Sequence, residues 1–176
     1  MNVTIRQEKQ KDHNIVENLV VAAFKDVAIS DHKEQFLVRR LRKSEAFIPE
    51  LSLVAALNGQ IIGHILLTKI KIANKNKHHG SLALAPISVL PEFQGKGIGG
   101  KLILSAHRIA ESLGFQSIIL LGHANYYPRF GYKKASEFDI QLPFEVPEEN
   151  CMAIELKENA LNKVSGTVVY PKAFFE

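Results

Sequence analysis

The chain has one cysteine among its 176 residues, Cys151, so no internal disulfide framework is open to it. That cysteine falls in an alternating run that reads as a strand, where a buried, inert thiol is expected rather than a nucleophile. No apolar run reaches the roughly 18 residues that cross a bilayer, and the N-terminus lacks the basic start, apolar core and cleavage site of an exported chain. A cytoplasmic protein with no membrane partner is therefore expected. The charge excess is small, +4, and is concentrated at Lys69, Lys71, Lys75 and Lys77 beside His78 and His79. Aromatic residues do not interleave with these lysines, so a solvated hairpin end is expected and a nucleic-acid partner is not. His78 and His79 are adjacent, without the spacing or carboxylates that converge on one metal ion, so no metal is expected. Internal repeats, linkers and low-complexity stretches are also absent, and residues 1–176 read as one domain.

What is present is an ordinary globular composition, 46% hydrophobic and 23% charged. Val3 and Ile5 alternate as a first strand. Asp12 is placed to cap a helix with Ile15, Val16, Leu19, Val20, Ala23 and Phe24 on one face. Asp31 and Glu34 have capping-box spacing for a second helix, with Phe36, Leu37 and Leu41 as its apolar side. Leu51–Leu57 and Ile61–Ile72 read as strands joined at Asn58-Gly59, where both turn residues tolerate positive φ. A turn over Asn74–Gly80 leads to a strand over Leu82–Leu90. Beyond a long helix stopped by Gly114 come a buried strand, Ser117–Leu121, and a helical turn over Tyr126–Phe130 with Gly131 as its stop. The tail alternates at Phe138, Ile140 and Leu142, at Met152, Ile154 and Leu156, and over Thr167–Val169. These last strands either complete one core or pair with a second copy, which leaves a homodimer open.

Between the fourth strand and the long helix stands Gln94-Gly95-Lys96-Gly97-Ile98-Gly99-Gly100. Glycines at a helix start expose unpaired amides and the positive end of the helix dipole, an anion cradle suited to a pyrophosphate. Three motifs compete for it. As G-x-G-x-x-G it wants an acidic residue about 20 positions on for a ribose, but no Asp or Glu stands between Glu111 and Glu137. As a P-loop it wants a hydroxyl after Lys101, where Leu102 stands. As Q-x-x-G-x-G, Gln94, Gly97 and Gly99 fit fully. This third reading resembles the acetyl-CoA loop of the GNAT superfamily of N-acetyltransferases.

A second segment, Leu121-Gly122-His123-Ala124-Asn125-Tyr126-Tyr127-Pro128-Arg129-Phe130-Gly131-Tyr132, is similar to the same superfamily's Tyr-x-x-Phe-Gly-Phe stretch. The resemblance is closer to its YhbS-like branch, which shares Pro49–Ala55 and a terminal Tyr170-Pro171-x-x-Phe174, and it extends from Val3 to Phe174. It implies an α/β fold with a mixed, mostly antiparallel sheet splayed after the fourth strand and helices on both faces. It also implies acetyl-CoA as cosubstrate and a primary amine, on a small molecule or peptide, as acceptor. Pro86 marks the bulge that would open the slot, since proline has no N–H for the ladder. The pantetheine arm would pair there with backbone groups of Ile87, Ser88 and Val89, and the diphosphate would lie on Gln94, Gly95, Lys96, Gly97, Ile98, Gly99 and Gly100.

Tyr127 falls on the superfamily's tyrosine and is the implied general acid to the departing thiolate, with Tyr126 as its runner-up; of the two, Tyr126 reads as the better packing anchor. Val89 or a neighbour could supply the N–H for the carbonyl oxygen. Arg129 reads as a helix-end cation. Two departures stand out. Ala83 and Ala85 occupy the strand positions where many members carry a basic Glu or His, so no base is assigned; His64, Glu34, Glu50 and His123 could each act through water. Leu120 replaces an asparagine often found there, a role that Asn125 could take. His32 and Glu34 are further candidates for acceptor contact. The competing reading from another class is a CoA-binding sensor without efficient transfer.

Overall fold

The computed structural model describes all residues, Met1–Glu176. Nine strands form one sheet: β1 Thr4–Gln7, β2 Phe47–Leu57, β3 Gln60–Asn74, β4 Lys77–Val89, β5 Ser117–Leu121, β6 Lys133–Lys134, β7 Ile140–Gln141, β8 Cys151–Glu155 and β9 Gly166–Val169. The main order is β1-β2-β3-β4-β5-β8-β6, with β9 bridging β3 and β7. Pairing is antiparallel except at β4–β5 and β7–β9. The helices are α1 His13–Phe24, α2 Glu34–Arg42 and α3 Ile98–Ser112.

Strand alternation divides the sheet into two faces. Leu51, Leu53, Ile65, Leu67, Leu82 and Leu84 point to α3 and join Leu102, Ile103 and Ala106 in the largest core. Val54 and Leu66 point the other way, to Val16, Leu19 and Val20 of α1 and Val38 and Leu41 of α2. The sheet is thus covered on both faces, as the resemblance implies. Ile15 and Phe36, expected on apolar faces, are instead 51% and 44% exposed, because each lies at the edge of its helix's buried stripe. Gly63 on β3 lets α3 approach closely: a Cβ there would stand 3.1 Å from Leu102 and 3.3 Å from Ile98. That close approach holds the N-terminus of α3 against β4.

The Asn58-Gly59 turn is present, with φ of 51° and 82°. The next hairpin is tighter than the sequence predicts. Its ladder runs to Asn74↔Lys77, so Lys77–Gly80 are strand rather than turn. Two capping expectations are corrected. Asp12 does not cap α1; its carboxylate is held by Arg6 at 2.7 and 3.2 Å and accepts the Lys9 N–H at 2.8 Å, which closes the preceding 3-10 turn. Asp31 accepts from the Lys33 N–H at 2.9 Å, and Glu34, already in the helix, is taken by the Ser30 hydroxyl, so no reciprocal box forms. β2 begins at Phe47, which puts Glu50 inside an irregular stretch of strand. Phe138 closes a 3-10 turn over Ala135–Phe138, because Asp139 takes φ 57° and reverses the chain before β7. Cys151 is 6% exposed at the start of β8, and burial raises its thiol to about 11.

Candidate active site

β4 and β5 pair only at Leu82↔Ile118 and Ala83↔Ile119. Two residues further, β4 carries an extra residue: β3 advances from Ile65 to Leu67 while β4 steps from Ile87 to Leu84. Pro86 lies in this bulge. Beyond it β5 turns its remaining ladder to β8, at Leu120↔Met152 and Leu121↔Cys151, and a slot opens between β4 and β5.

The hydrogen-bond alternation of an antiparallel pair decides which backbone groups face that slot. The Leu90 N–H donates to the Ile62 carbonyl at 2.9 Å, so Leu90 and Ser88 are the residues that exchange bonds with β3. The N–H and C=O of Ile87 and Val89 consequently point into the slot. The Val89 carbonyl already accepts the Gln94 side-chain amide at 3.0 Å, so Gln94 straps the loop to the strand. Ser88 has its backbone on β3 and its side chain on the α1–α2 face, 3% exposed.

At the mouth of the slot, Gly97 takes φ 81° immediately before α3, and Gly95 takes φ 74°. Both conformations favour glycine for backbone reasons alone, since no atom stands within 4 Å of a Cβ at either position. Gly99 and Gly100 are constrained differently. A Cβ on Gly99 would come 2.8 Å from the Tyr126 hydroxyl, and one on Gly100 3.3 Å from the Phe130 ring. The first bond of α3 is Lys101 N–H to Gly97 O, which leaves the Ile98, Gly99 and Gly100 amides without helical acceptors. No acidic side chain occupies the first turn to quench them. Lys96 is exposed, its ammonium 5.4 Å from the centre of the Phe93 ring. Ile98 differs from its neighbours: its side chain is 2% exposed in the core, so only its amide faces the cradle.

The two tyrosines lie at different depths. Tyr127 is the deeper, 8% exposed and part of the main core, and its ring covers Gly122 so closely that a Cβ there would overlap it. Tyr126 is half-buried, edge-on to Phe130 and Tyr127, with its hydroxyl over the glycine helix start. The reason is the 3-10 turn Tyr127–Phe130, which directs its first residue inward against the end of β5. Burial, then the neighbouring Tyr126, pushes the Tyr127 phenol up to about 12. Arg129 is a local clamp: its guanidinium donates to the Tyr126 carbonyl at 3.0 Å and lies 4.7 Å from that ring's centre. Asn125 precedes them on the exposed rim.

Of the residues named as bases, Glu34 is bound to Ser30, His123 is exposed beyond β5, and Glu50 lines a surface groove with Arg6, Gln7 and Arg108 on the α3 side. His64 is different. It is fully buried on the α1–α2 face, in a polar row whose other members sequence reading missed: Glu8, Ser52 and Arg42. The sequence signal was a polar residue in core register, Ser52 between Leu51 and Leu53, but nothing in it showed that these side chains meet. No three His, Cys, Asp or Glu side chains converge as metal ligands do.

The comparisons with known proteins agree with this geometry. The sequence profile of the acetyltransferase (GNAT) family matches residues 18–132. The Escherichia coli (strain K12) uncharacterized N-acetyltransferase YjhQ is 39% identical over 119 residues, which is 67% of this chain and 66% of YjhQ. The crystal structure of the Escherichia coli GNAT family N-acetyltransferase YhbS in complex with CoA superposes with a TM-score of 0.90 at 25% identity, covering 100% of this chain and 93% of that one. A GNAT family acetyltransferase from Brucella melitensis, in complex with acetyl-CoA, gives a TM-score of 0.81 at 34% identity over 98% of both chains. With the profile matched over more than half its length, across the glycine loop and both tyrosines, this chain belongs to the acetyltransferase (GNAT) family.

Proposed function

We propose that the protein transfers an acetyl group from acetyl-CoA to a primary amine, on a small molecule or peptide, by direct attack on the thioester. The observation that carries this reading is the free edge of β4 at Ile87 and Val89 standing beside the unquenched amides of α3. An extended pantetheine arm fits such an edge as an added strand would, and a diphosphate fits the amides. The residues present suit acetyl-CoA: Ile87 and Val89 offer backbone groups, Gly95, Lys96, Gly97, Ile98, Gly99 and Gly100 offer amides and one cation, Gln94 fixes the loop, and Tyr126 and Asn125 form the rim.

The chain's own groups cover the chemistry except for a base. The Val89 N–H faces the slot and would donate to the thioester carbonyl oxygen as it gains charge. Tyr127 keeps its proton through the neutral range and gives it to the sulfur as the thiolate leaves. The test is thiol release from acetyl-CoA with a panel of amines: a polyamine, an aminoglycoside, an amino-acid amide and a peptide with a free N-terminus. Amine-dependent release that fails in Tyr127→Phe, with acetyl-CoA binding retained, supports the reading. Binding without release for any amine favours a sensor.

A further inference from the structure

On the α1–α2 face a line of buried polar side chains crosses four strands: Glu8 just after β1, Ser52 on β2, His64 on β3 and Ser88 on β4. Their exposures are 8%, 1%, 0% and 3%. His64 and Ser88 are directly opposed, so their side chains share this face. The line ends on the strand whose far edge borders the slot.

The hydrogen bonds assign the protons. The Ser52 hydroxyl donates to Glu8 Oε2 at 2.6 Å, and having spent its hydrogen it can only accept from His64 Nε2, 3.0 Å away. His64 Nε2 is also 2.9 Å from Glu8 Oε2. The Nε2 position therefore carries the hydrogen, and Nδ1 carries the bare lone pair. Nδ1 is buried with no partner, as are Ser88 Oγ and, one turn of the ladder away, Thr68 Oγ1. Thr68 opposes Ala83, the last residue paired across to β5, so Thr68 and Ser88 straddle the bulge that opens the slot. Three orphaned polar atoms beside one bulge are the partners that a bridging water or an acceptor group needs. Glu8 is fixed as a carboxylate by Arg42 Nη2 at 2.8 Å, with His13 Nε2 at 3.2 Å, and Arg42 is itself held by Glu17 at 3.0 Å.

We infer that Glu8, His64 and Ser88 form a buried relay that takes the proton from the attacking amine, supplying the base that Ala83 and Ala85 do not. The relay rests on the transferase reading. In the step, the amine nitrogen bonds to the acetyl carbon and the carbon–sulfur bond breaks. One N–H proton passes by way of Ser88 or a bridging water to His64 Nδ1, while Tyr127 gives its proton to the sulfur. The two groups are reset through solvent, His64 losing a proton and Tyr127 regaining one. Burial lowers the basicity of His64, and the Glu8 carboxylate works against that loss, so the ring is neutral and ready to accept at pH 7. The charged and titratable groups facing it are Glu8 just after β1, Arg42 from α2 and His13 from α1.

The experiment compares wild type, His64→Gln and Ser88→Ala with the best amine of the panel over pH 6–10, beside acetyl-CoA affinity and ¹⁵N-histidine NMR of the wild type. The expectation is a loss in kcat of about 10²-fold or more at neutral pH for His64→Gln, shrinking as pH rises past the amine's own pKa. Ser88→Ala shows a smaller loss of the same pH shape, and acetyl-CoA affinity is unchanged in both. NMR shows a bare Nδ1 whose signal moves when acetyl-CoA binds. Rate losses equal at every pH, or none, reduce His64 to a structural pair and overturn the relay. A protonated Nδ1 overturns it even where His64→Gln fails to fold. Acetyl-CoA binding without turnover of any amine by wild type removes the transferase reading, and the relay with it.

Discussion

The Tyr126 hydroxyl stands 2.8 Å from the point a Cβ on Gly99 would occupy, so the helix start and the aromatic turn after β5 close on each other across the cradle. Gly99 is small because of this neighbour, whereas Gly95 and Gly97 are glycine because of their positive φ. The two causes predict different rescues. Gly99→Ala weakens acetyl-CoA binding by about tenfold, the ~1.4 kcal/mol of one displaced contact. Adding Tyr126→Phe, which removes the clashing oxygen, recovers most of it. Titration calorimetry on the single and double variants checks this; Gly97→Ala is not rescued by any change at Tyr126.

Tyr127→Phe keeps the ring that covers Gly122 and removes only the hydroxyl. It lowers kcat by about 10²- to 10⁴-fold while leaving acetyl-CoA affinity within about twofold. Because the phenol is raised to about 12, its acidic form persists through the usable range. The wild-type rate therefore shows no alkaline fall assignable to this residue below about pH 11. A limb near pH 9 that vanishes in the variant contradicts the assignment.

Acid stability carries a signature of two buried groups. Burial alone would raise the Glu8 carboxyl, but hydrogen bonds from His64 and Ser52 and the Arg42 charge more than reverse this and bring it to about 2. Its stabilising effect is full above the unfolded carboxylate pKa and is lost as pH falls toward 2. The His107 imidazole is lowered to about 4 by burial, beside the Tyr132 hydroxyl at 2.9 Å, so stability is lost there earlier, as pH falls from about 6.5 toward 4. Each effect is of the order of 3 kcal/mol. Urea midpoints taken stepwise from pH 7 to 2 check this. His107→Gln flattens part of the upper window, where His64 also contributes, and Glu8→Gln flattens the lower.

The packing of α3 predicts a further loss. Leu102 is fully buried between α3 and the sheet, against Gly63. Leu102→Ala costs about 2–5 kcal/mol of stability, read from the shift in urea midpoint. Gly63→Ala, which pushes α3 away from β4, weakens acetyl-CoA binding more than its smaller stability loss would suggest.

Local chemistry made much of this fold legible in the sequence. Asn58-Gly59 specified its turn because both residues accept positive φ, and the continuous apolar run of β5 and the periodicity of α3 followed from the faces each element buries. Capping failed at Asp12 and Asp31, where a nearby Arg6 or a local N–H took the carboxylate before the helix could, a competition decided by tertiary neighbours. In the site, the glycine loop was readable as spacing, Pro86 as a missing ladder donor, and the tyrosine pair through the family resemblance. Which tyrosine goes deeper depends on the direction of a 3-10 turn, and the Glu8–Ser52–His64–Ser88 line joins residues from four strands. Such placements arise only when β1 to β4 pair in register.

The most direct test of the central claim is calorimetric titration of acetyl-CoA into the purified protein, beside NADH and ATP with magnesium. The account predicts saturable binding of acetyl-CoA alone, lost in Gly97→Val. No binding by the folded protein would contradict it and leave the glycine loop as a turn.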